Sequence, residues 1–335
     1  MTHEIKEWVL KAQEWQNKTY LTVLATVVAL EGSSYRRPGV RMLINDQGAM
    51  CGAVSGGCVE KEIVQQAASV FKNNIPKVIT YDGRYRLGCE GIIYILIEPF
   101  ILTDPFLEAF NDVLSQRVEF QSESFYNKKL GENPEFGTRF NFNGILFFSN
   151  PTLNPKDKSC FHQSFSPVFQ LYIFGAEHDA VTLCKAASGM GWEVHIVAAP
   201  DESKTLDFFP GAHQMITPLY DEVDTCKMDH QTAIVLMTHS FSKDVQYLMA
   251  LSEVRPAYFG LLGPANRRER LIDQFLEYQP DTTPEFLDRL NGPAGINIGA
   301  ESAEEISISI LAEILTVIRN QEPIRLREKK GRIHE

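Results

Sequence analysis

Residues with the chemistry of an anion-binding site are concentrated in the first third of the chain. In the segment GAVSGGCVEKEIV, Ser55, Gly56 and Gly57 directly precede Cys58, where a helix-like run begins. Glycine permits close backbone approach, and a helix N-terminus presents unpaired N–H groups and a positive dipole end. Such a turn binds anions and favours the thiolate of Cys58. The simpler interpretation is a tight strand-to-helix turn with Cys58 packed inside.

Two nearby segments supply cations and a second thiol. In the loop SSYRRPGVR, Arg36, Arg37 and Arg41 flank the turn at Gly39. Guanidinium groups bind phosphate and carboxylate oxygens in a bidentate manner. The segment RLGCEG places Cys89 in a glycine-rich turn just before a strand. We expect the three segments to surround one anionic ligand; a solvated basic loop is the alternative.

The pattern of strands and helices that must position these residues predicts an α/β protein. Residues 1–100 mix strands and helices around one sheet and are expected to form the N-terminal mixed α/β domain. Residues 101–167 are predicted to form a variable β-rich middle segment, followed by a linker in the polar, proline-containing stretch NPTLNPKDKSCFHQSFSP. Apolar strands alternate with helices over 168–325, a pattern typical of a Rossmann-like domain with a parallel sheet covered on both faces. Residues 326–335 read as a tail.

Composition excludes several classes of function. The formal net charge of −11 over 335 residues argues against binding to nucleic acid or an anionic membrane. The stretch YLTVLATVVAL is about half the ~20 residues of a spanning helix, and the acidic N-terminus does not read as a signal peptide, so we expect a cytoplasmic protein. The six cysteines form no CxxC pair, which argues against a disulfide scaffold or a zinc ribbon.

The predicted Rossmann-like domain contains four further candidate residues. Gly175 ends a strand in FGAEHDA and precedes His178, at the start of a helix. His239 follows a later strand in THS, and Arg267 begins a helix in GLLGPANRRER. Ligands of such sheets bind at the carboxyl ends of the strands. We therefore expect these residues to line one cleft, facing the first domain; a solvated helix start is the alternative.

Five segments, taken in order, resemble the XdhC/CoxI family. They are EGSSYRRPGVRMLIND with GAMCGAVSGGCVEKEIV, then LGCEGIIYILIEP, LYIFGAEHDAVTLCKAASGMGWEVHIV, AYFGLLGPANRRERL and GPAGINIGAESAEEISISILAEI. The resemblance implies an accessory protein of a xanthine dehydrogenase-type molybdenum hydroxylase. Such a protein binds the molybdenum cofactor, a molybdopterin, and supports its sulfuration and insertion into that client. A cysteine desulfurase-type sulfur donor is a second implied partner.

The resemblance also implies which residues contact the cofactor. Carried over residue by residue, they are Arg36, Arg37, Gly39, Arg41, Ser55, Gly56, Gly57, Cys58, Glu60 and Cys89. The arginine loop is expected to hold the phosphate. Thiolates are soft metal ligands, so Cys58 and Cys89 are the candidates for chemistry at the molybdenum–sulfur end. This interpretation favours a cofactor-binding chaperone over a catalyst.

The alternative function is an NAD(P)-dependent oxidoreductase that uses the C-terminal domain. The family resembled shows a GAGHVA turn, and Glu177 replaces its second glycine here, where a negative charge repels a pyrophosphate. The strand VHIV runs into Ala198 rather than an acidic residue, and Asp201 comes three residues late. Both departures argue against NAD(P). A scaffold without a small ligand is a third possibility, and a homodimer is expected because two-fold dimers are the commonest assemblies.

Overall fold

The computed structural model describes most of the chain. The described residues are 2–32, 37–54, 57–82 and 91–330, with the side chain of Cys58 left undescribed. The chain forms two compact units, which divide between Pro167 and Val168. Among the described residues, no helix combines the length and the apolar character needed to cross a membrane.

The first unit consists of two antiparallel sheets and three helices in its described part. Its helices are α1 (Thr2–Asn17), α2 (Cys58–Asn73) and α3 (Asp104–Ser115). Its strands are β1 (Thr22–Gly32), β2 (Arg41–Asn45), β3 (Met50–Gly52), β4 (Lys77–Asp82), β5 (Gly91–Pro99), β6 (Phe120–Tyr126), β7 (Gly131–Glu132), β8 (Gly137–Phe142), β9 (Ile145–Phe148) and β10 (Ser159–Phe165). The sheet orders are β3-β2-β1-β5-β4-β7 and β10-β6-β8-β9.

Helix α2 is positioned by one apolar face. Val59, Ile63, Ala67 and Val70 recur at helical spacing and are buried against the first sheet. The helix ends at Asn74, whose left-handed backbone closes the last turn. Because this face is fully buried, the N-terminus of α2 is held at one place beside the sheet.

The middle of the chain packs into the same core as the first helix. Phe106 of α3 contacts the rings of Phe140 and Phe142 at centroid distances of 5.6 and 5.0 Å, and Trp8 of α1 belongs to the same cluster. The sequence predicted a linker that includes Ser159–Phe165, and the structure instead has strand β10 there. Pairing along the whole length of β6 outweighs the local polarity of this stretch.

The second unit is a parallel sheet between two helical layers. Its strands are β11 (Gln170–Phe174), β12 (Glu193–Val197), β13 (Ala212–Ile216), β14 (Thr232–Leu236), β15 (Tyr258–Leu261) and β16 (Leu290–Asn291). Its helices are α4 (His178–Gly189), α5 (Phe241–Ala250), α6 (Ala265–Tyr278), α7 (Pro284–Asp288) and α8 (Ala303–Arg319).

The topology of this sheet confirms the predicted Rossmann-like domain. The strand order is β13-β12-β11-β14-β15-β16, and every pair is parallel. Helices α4 and α8 cover one face, and α5, α6 and α7 cover the other. The order reverses between β11 and β14, which is where ligands bind in sheets of this type.

Candidate functional site

The described end of the arginine loop, residues 37–41, lies against a bulge in β1. The pairing of β1 with β5 shifts register between Val27 and Ala29. Val27 N–H donates to Val40 O at 2.9 Å, and Gly39 N–H donates to Val27 O at 2.8 Å. These two bonds tie the end of the loop to the bulge and lead the chain into β2.

Gly39 is required by close packing beside this bulge. Its φ is +101°, and a Cβ there would lie 2.8 Å from Gln163 Nε2. Glycine alone combines that backbone conformation with the space that Gln163 needs. The structure therefore gives Gly39 a packing role.

Arg41 directs its guanidinium into the interior of the first unit. Its Nη1 donates to Gln163 Oε1 and to Gly39 O, and its Nη2 donates to Ser122 Oγ at 2.9 Å. The group also lies over the ring of Phe165, 5.4 Å from the centroid. Burial lowers the pKa of Arg41 to about 10. Through these contacts Arg41 joins β2 to the second sheet of the unit. Arg37, by contrast, is exposed.

The glycine-rich turn before α2 is capped by an acidic side chain. Gly57 is the N-cap, with a φ of +131°, and its N–H donates to Glu60 Oε2 at 2.7 Å. Glu60 is buried, whereas Gly57 is exposed, and a Cβ on Gly57 would meet no atom of the described residues within 4 Å. Glu60 thus shapes the turn, and within the part of the chain that the structure describes no side chain fills the space over Gly57 at the positive end of the helix.

The remaining candidates of the first unit lie outside the described residues. They are Arg36, Ser55, Gly56, Cys89 and the side chain of Cys58. The expected convergence of the two thiols with the arginines stays a prediction. Cys51, by contrast, is described and buried, and burial raises its pKa to about 11. A thiol with that pKa is unreactive at neutral pH.

In the second unit, Gly175 lies at the reversal of strand order. Its φ is +138°, and a Cβ there would lie 2.5 Å from Met237 O, at the end of β14. Its N–H donates to Val197 O, which follows from the pairing of β11 with β12. Glycine is needed here because the backbones of three adjacent strand ends come together.

Two polar pairs line the same carboxyl edge. His239 Nε2 lies 3.1 Å from Asp179 Oδ2, in the first turn of α4, beside the exposed His178. Arg267 Nη2 donates to Asp244 Oδ2 at 2.7 Å. Asp244 is 2% exposed and also accepts from Thr238 Oγ1 at 2.6 Å.

The structure therefore brings Gly175, His239 and Arg267 to one edge of the sheet; that they line a ligand cleft stays a prediction. Thr238 connects the two pairs, because it precedes His239 in the chain and is bonded to the acid that holds Arg267. Asp179 and Asp244 were missed as site residues. The one feature of the sequence that could have identified them is their position, because each lies in the first turn of a helix that follows a predicted strand.

Glu177 occupies the position expected for a dinucleotide-binding glycine. It is the N-cap of α4, its side chain makes no capping bond, and its carboxylate lies 4.0 Å from Lys204 Nζ. Ala198 is buried at the end of β12. This part of the edge has a carboxylate where a pyrophosphate would approach.

Both halves of the chain match family models. Residues 15–82 match the model of the XdhC and CoxI family, and residues 171–314 match the model of the XdhC Rossmann domain.

Similarity extends over nearly the whole chain in individual proteins. A Bacillus subtilis protein, named as one of the probable subunits of xanthine dehydrogenase, is 30% identical over 88% of this chain and 92% of its own length. "Molybdenum cofactor insertion chaperone PaoD" of Escherichia coli is 24% identical over 90% of this chain and 84% of its own length. The crystal structure of a xanthine dehydrogenase from Bacillus halodurans superposes with a TM-score of 0.76 at 26% identity, covering 94% of this chain and 96% of that one.

Proposed function

The chain belongs to the XdhC and CoxI family, and on that premise we propose that it is an accessory protein of a xanthine dehydrogenase-type molybdoenzyme. In this proposal it binds the molybdenum cofactor in the cytoplasm and supports its sulfuration and insertion into that client. The observation that carries the proposal is similarity over most of the chain to two proteins, one named as part of a xanthine dehydrogenase and the other as a cofactor insertion chaperone.

The described part of the first unit fits the phosphate end of a molybdopterin. Among the described residues, no atom lies close above Gly57 at the N-terminus of α2, and Arg37 is exposed in the loop that leads into β2 of the same sheet. Backbone N–H groups at a helix start and a guanidinium group both favour a phosphate. We propose Arg36, Arg37, Ser55, Gly56 and Gly57 as the phosphate-binding group.

The sulfur-rich end of the cofactor is assigned to thiols. We propose that Cys58 and Cys89 contact or shelter that end, because thiolates are soft ligands. Sulfur would come from a cysteine desulfurase-type donor. Glu60 supports the turn through its bond to Gly57 N–H. Gly39 and Arg41 support the loop from within, through their contacts with Gln163.

The carboxyl edge of the second unit is proposed as a cofactor-binding surface of that unit. Gly175, His178, His239 and Arg267 lie at the ends of adjacent strands or at helix starts, where ligands of this fold bind. His239 and Arg267 are each held by an acid, which fixes their side chains before a ligand arrives.

Retention of pterin tests the proposal. The protein is purified with molybdopterin present, and bound pterin is measured by fluorescence after oxidation. Arg37→Ala and Cys58→Ala are each expected to retain about tenfold less, the effect of losing one charge-assisted contact. Arg325→Ala and Cys226→Ala are matched controls, because both residues are exposed and lie in the other unit. Absence of pterin from the wild type, or equal retention by all four variants, would contradict the proposal.

The strand order favours one alternative ligand, a nicotinamide dinucleotide in the second unit. Glu177 and Ala198 argue against it, since the first repels a pyrophosphate and the second cannot bind a ribose hydroxyl. Titration with NADH or NADPH, followed by fluorescence, separates the two. Saturable binding with hydride transfer would replace the accessory role with an oxidoreductase.

A further inference from the structure

One buried side chain of the second sheet reaches the arginine loop from within the first unit. Gln163 lies in β10, opposite Ser122 of β6, and is 8% exposed. Its Oε1 accepts from Arg41 Nη1, and its Nε2 lies beside Gly39, 2.8 Å from where a Cβ would be. A single amide therefore lies against two residues of the turn formed by residues 37–41.

Arg41 completes this arrangement. Its Nη1 donates to Gly39 O at 3.2 Å as well as to Gln163 Oε1, and its Nη2 donates to Ser122 Oγ at 2.9 Å. The backbone of the turn is bonded to β1, because Gly39 N–H donates to Val27 O at 2.8 Å. The turn is thus held by β1 through its main chain and by the second sheet through Gln163 and Arg41.

Stability alone does not explain polar groups at this position. A buried amide or guanidinium group loses contacts with water that its new hydrogen bonds only partly replace, and apolar side chains of similar volume often stabilise a protein at least as well. The surroundings are aromatic: the Arg41 guanidinium lies 5.4 Å from the ring centroid of Phe165 and 5.7 Å from that of Trp8. What the polar groups add is direction, because a hydrogen bond has a preferred angle and an apolar contact does not.

The direction of the turn determines the direction of Arg37. Only Pro38 separates Arg37 from Gly39. The proline ring fixes its own φ and restricts the backbone of the residue before it, so a rotation at Gly39 is carried over to Arg37. Arg37 is exposed and belongs to the proposed phosphate-binding group.

We propose that Gln163 is a positioning residue for that group: through Arg41 and Gly39 it holds the turn in the arrangement that presents Arg37 to a phosphate. The inference rests on the proposed function and deepens it, because it gives the second sheet a role in ligand binding. Strands β6 and β10 lie outside residues 15–82 and 171–314, the ranges that the family models match. A ligand that binds one arrangement of the turn loses affinity in proportion to the fraction of molecules that leave it.

Amide hydrogen exchange on the full chain tests the positioning without a ligand. In Gln163→Ala the Gly39 N–H is expected to exchange about tenfold faster than in the wild type, because one bond that holds the turn is lost. Gln163→Glu keeps an acceptor for Arg41 Nη1 and is expected to exchange at the wild-type rate. Ser124→Ala is the matched control, since Ser124 is buried in β6 of the same sheet and its hydroxyl lies 2.8 Å from that of Thr138. Unchanged exchange in Gln163→Ala would overturn the proposal.

Pterin retention, measured as for the proposed function, tests the link to the ligand. Gln163→Ala and Arg37→Ala are each expected to retain about tenfold less pterin than the wild type. The double variant should retain as much as Arg37→Ala alone, because Gln163 acts through that arginine. Gln163→Glu and Ser124→Ala are expected to retain wild-type amounts, whereas losses that add in the double variant would contradict a positioning role.

The outcomes separate this inference from the proposed function. A wild type that retains no pterin overturns both, whereas wild-type retention by Gln163→Ala overturns the inference alone. Urea denaturation checks that each variant is folded. Gln163→Met, which has a similar length and no amide, replaces an alanine variant that does not fold.

Discussion

His239 Nε2 lies 3.1 Å from Asp179 Oδ2 and joins the end of one strand, β14, to the first turn of helix α4 across the reversal of strand order. His239 has a left-handed backbone, with a φ of +57°, which is uncommon for a residue other than glycine. The bond to Asp179 fixes the ring orientation and leaves the Nδ1 side directed away from the acid.

The first prediction concerns the coupling of that pair. His239→Ala and Asp179→Asn are each expected to reduce pterin retention by about tenfold, or about 1.4 kcal/mol. The double variant should lose no more than either single variant, because the acid acts through the imidazole. Asp207→Asn, an exposed acid of the same unit, is the control. Additive losses would contradict a shared role.

The second prediction concerns the buried acid that holds Arg267. Asp244→Ala leaves the partly buried Arg267 without its partner and is expected to lower the free energy of unfolding by about 3 kcal/mol. Asp201→Ala removes a salt bridge of similar length, to Lys243, but Asp201 is 77% exposed, so a loss of about 0–1 kcal/mol is expected. Urea denaturation of the full chain, followed through the unfolding of the second unit, measures both losses of unfolding free energy. Equal losses of unfolding free energy in the two variants would show that burial of the acid does not determine how much its removal destabilises the protein.

Gly39 provides a third prediction, on packing at the β1 bulge. Gly39→Ala must adopt a φ of +101° and also displaces Gln163, so we expect a loss of stability greater than the ~1–2 kcal/mol of a left-handed backbone alone. Gly48→Ala has a similar backbone requirement, with a φ of +81°, but its nearest neighbour atom is 4.0 Å away. Chemical denaturation should rank Gly39→Ala as the more damaging. The reverse order would exclude a packing role.

The fourth prediction concerns Glu98, a buried carboxyl that accepts from Thr138 N–H at 2.7 Å and from the hydroxyls of Thr138 and Ser149. Burial raises its pKa despite these donors and the nearby Arg41. The folded state therefore binds more protons than the unfolded state between pH 4.5, the ordinary pKa, and the raised pKa of the folded state. Stability from this group is complete below that pH and is lost as pH rises through the folded pKa.

Glu98→Gln removes this dependence on pH. Relative to the variant, the wild type should lose stability as pH rises from about 5, by at most ~1.4 kcal/mol per pH unit. Denaturation of both proteins at several pH values measures the difference. A difference that does not change with pH, or one of opposite sign, would contradict a raised pKa. Glu135→Gln is the control, since its exposed carboxyl has a lowered pKa beside Lys158.

The sequence by itself determined the architecture of the second unit and the type of residue at its edge. Alternating apolar strands and amphipathic helices leave few ways to bury both faces of a sheet, so the Rossmann-like prediction was correct. Gly175 and His239 could be placed because both directly follow recognisable strands. These are local signals, since each depends on residues close together in the chain.

Only the tertiary structure decided the roles of Arg41, Gly39 and the stretch Ser159–Phe165. Arg41 reads in sequence as a phosphate ligand, yet its guanidinium is buried against Gln163, 122 positions later. Gly39 faces that same glutamine. The polar stretch Ser159–Phe165 is predicted from sequence to be a linker, but it forms strand β10 because β6 pairs with it. The physical reason is that burial and strand pairing depend on distant partners, which local composition does not specify.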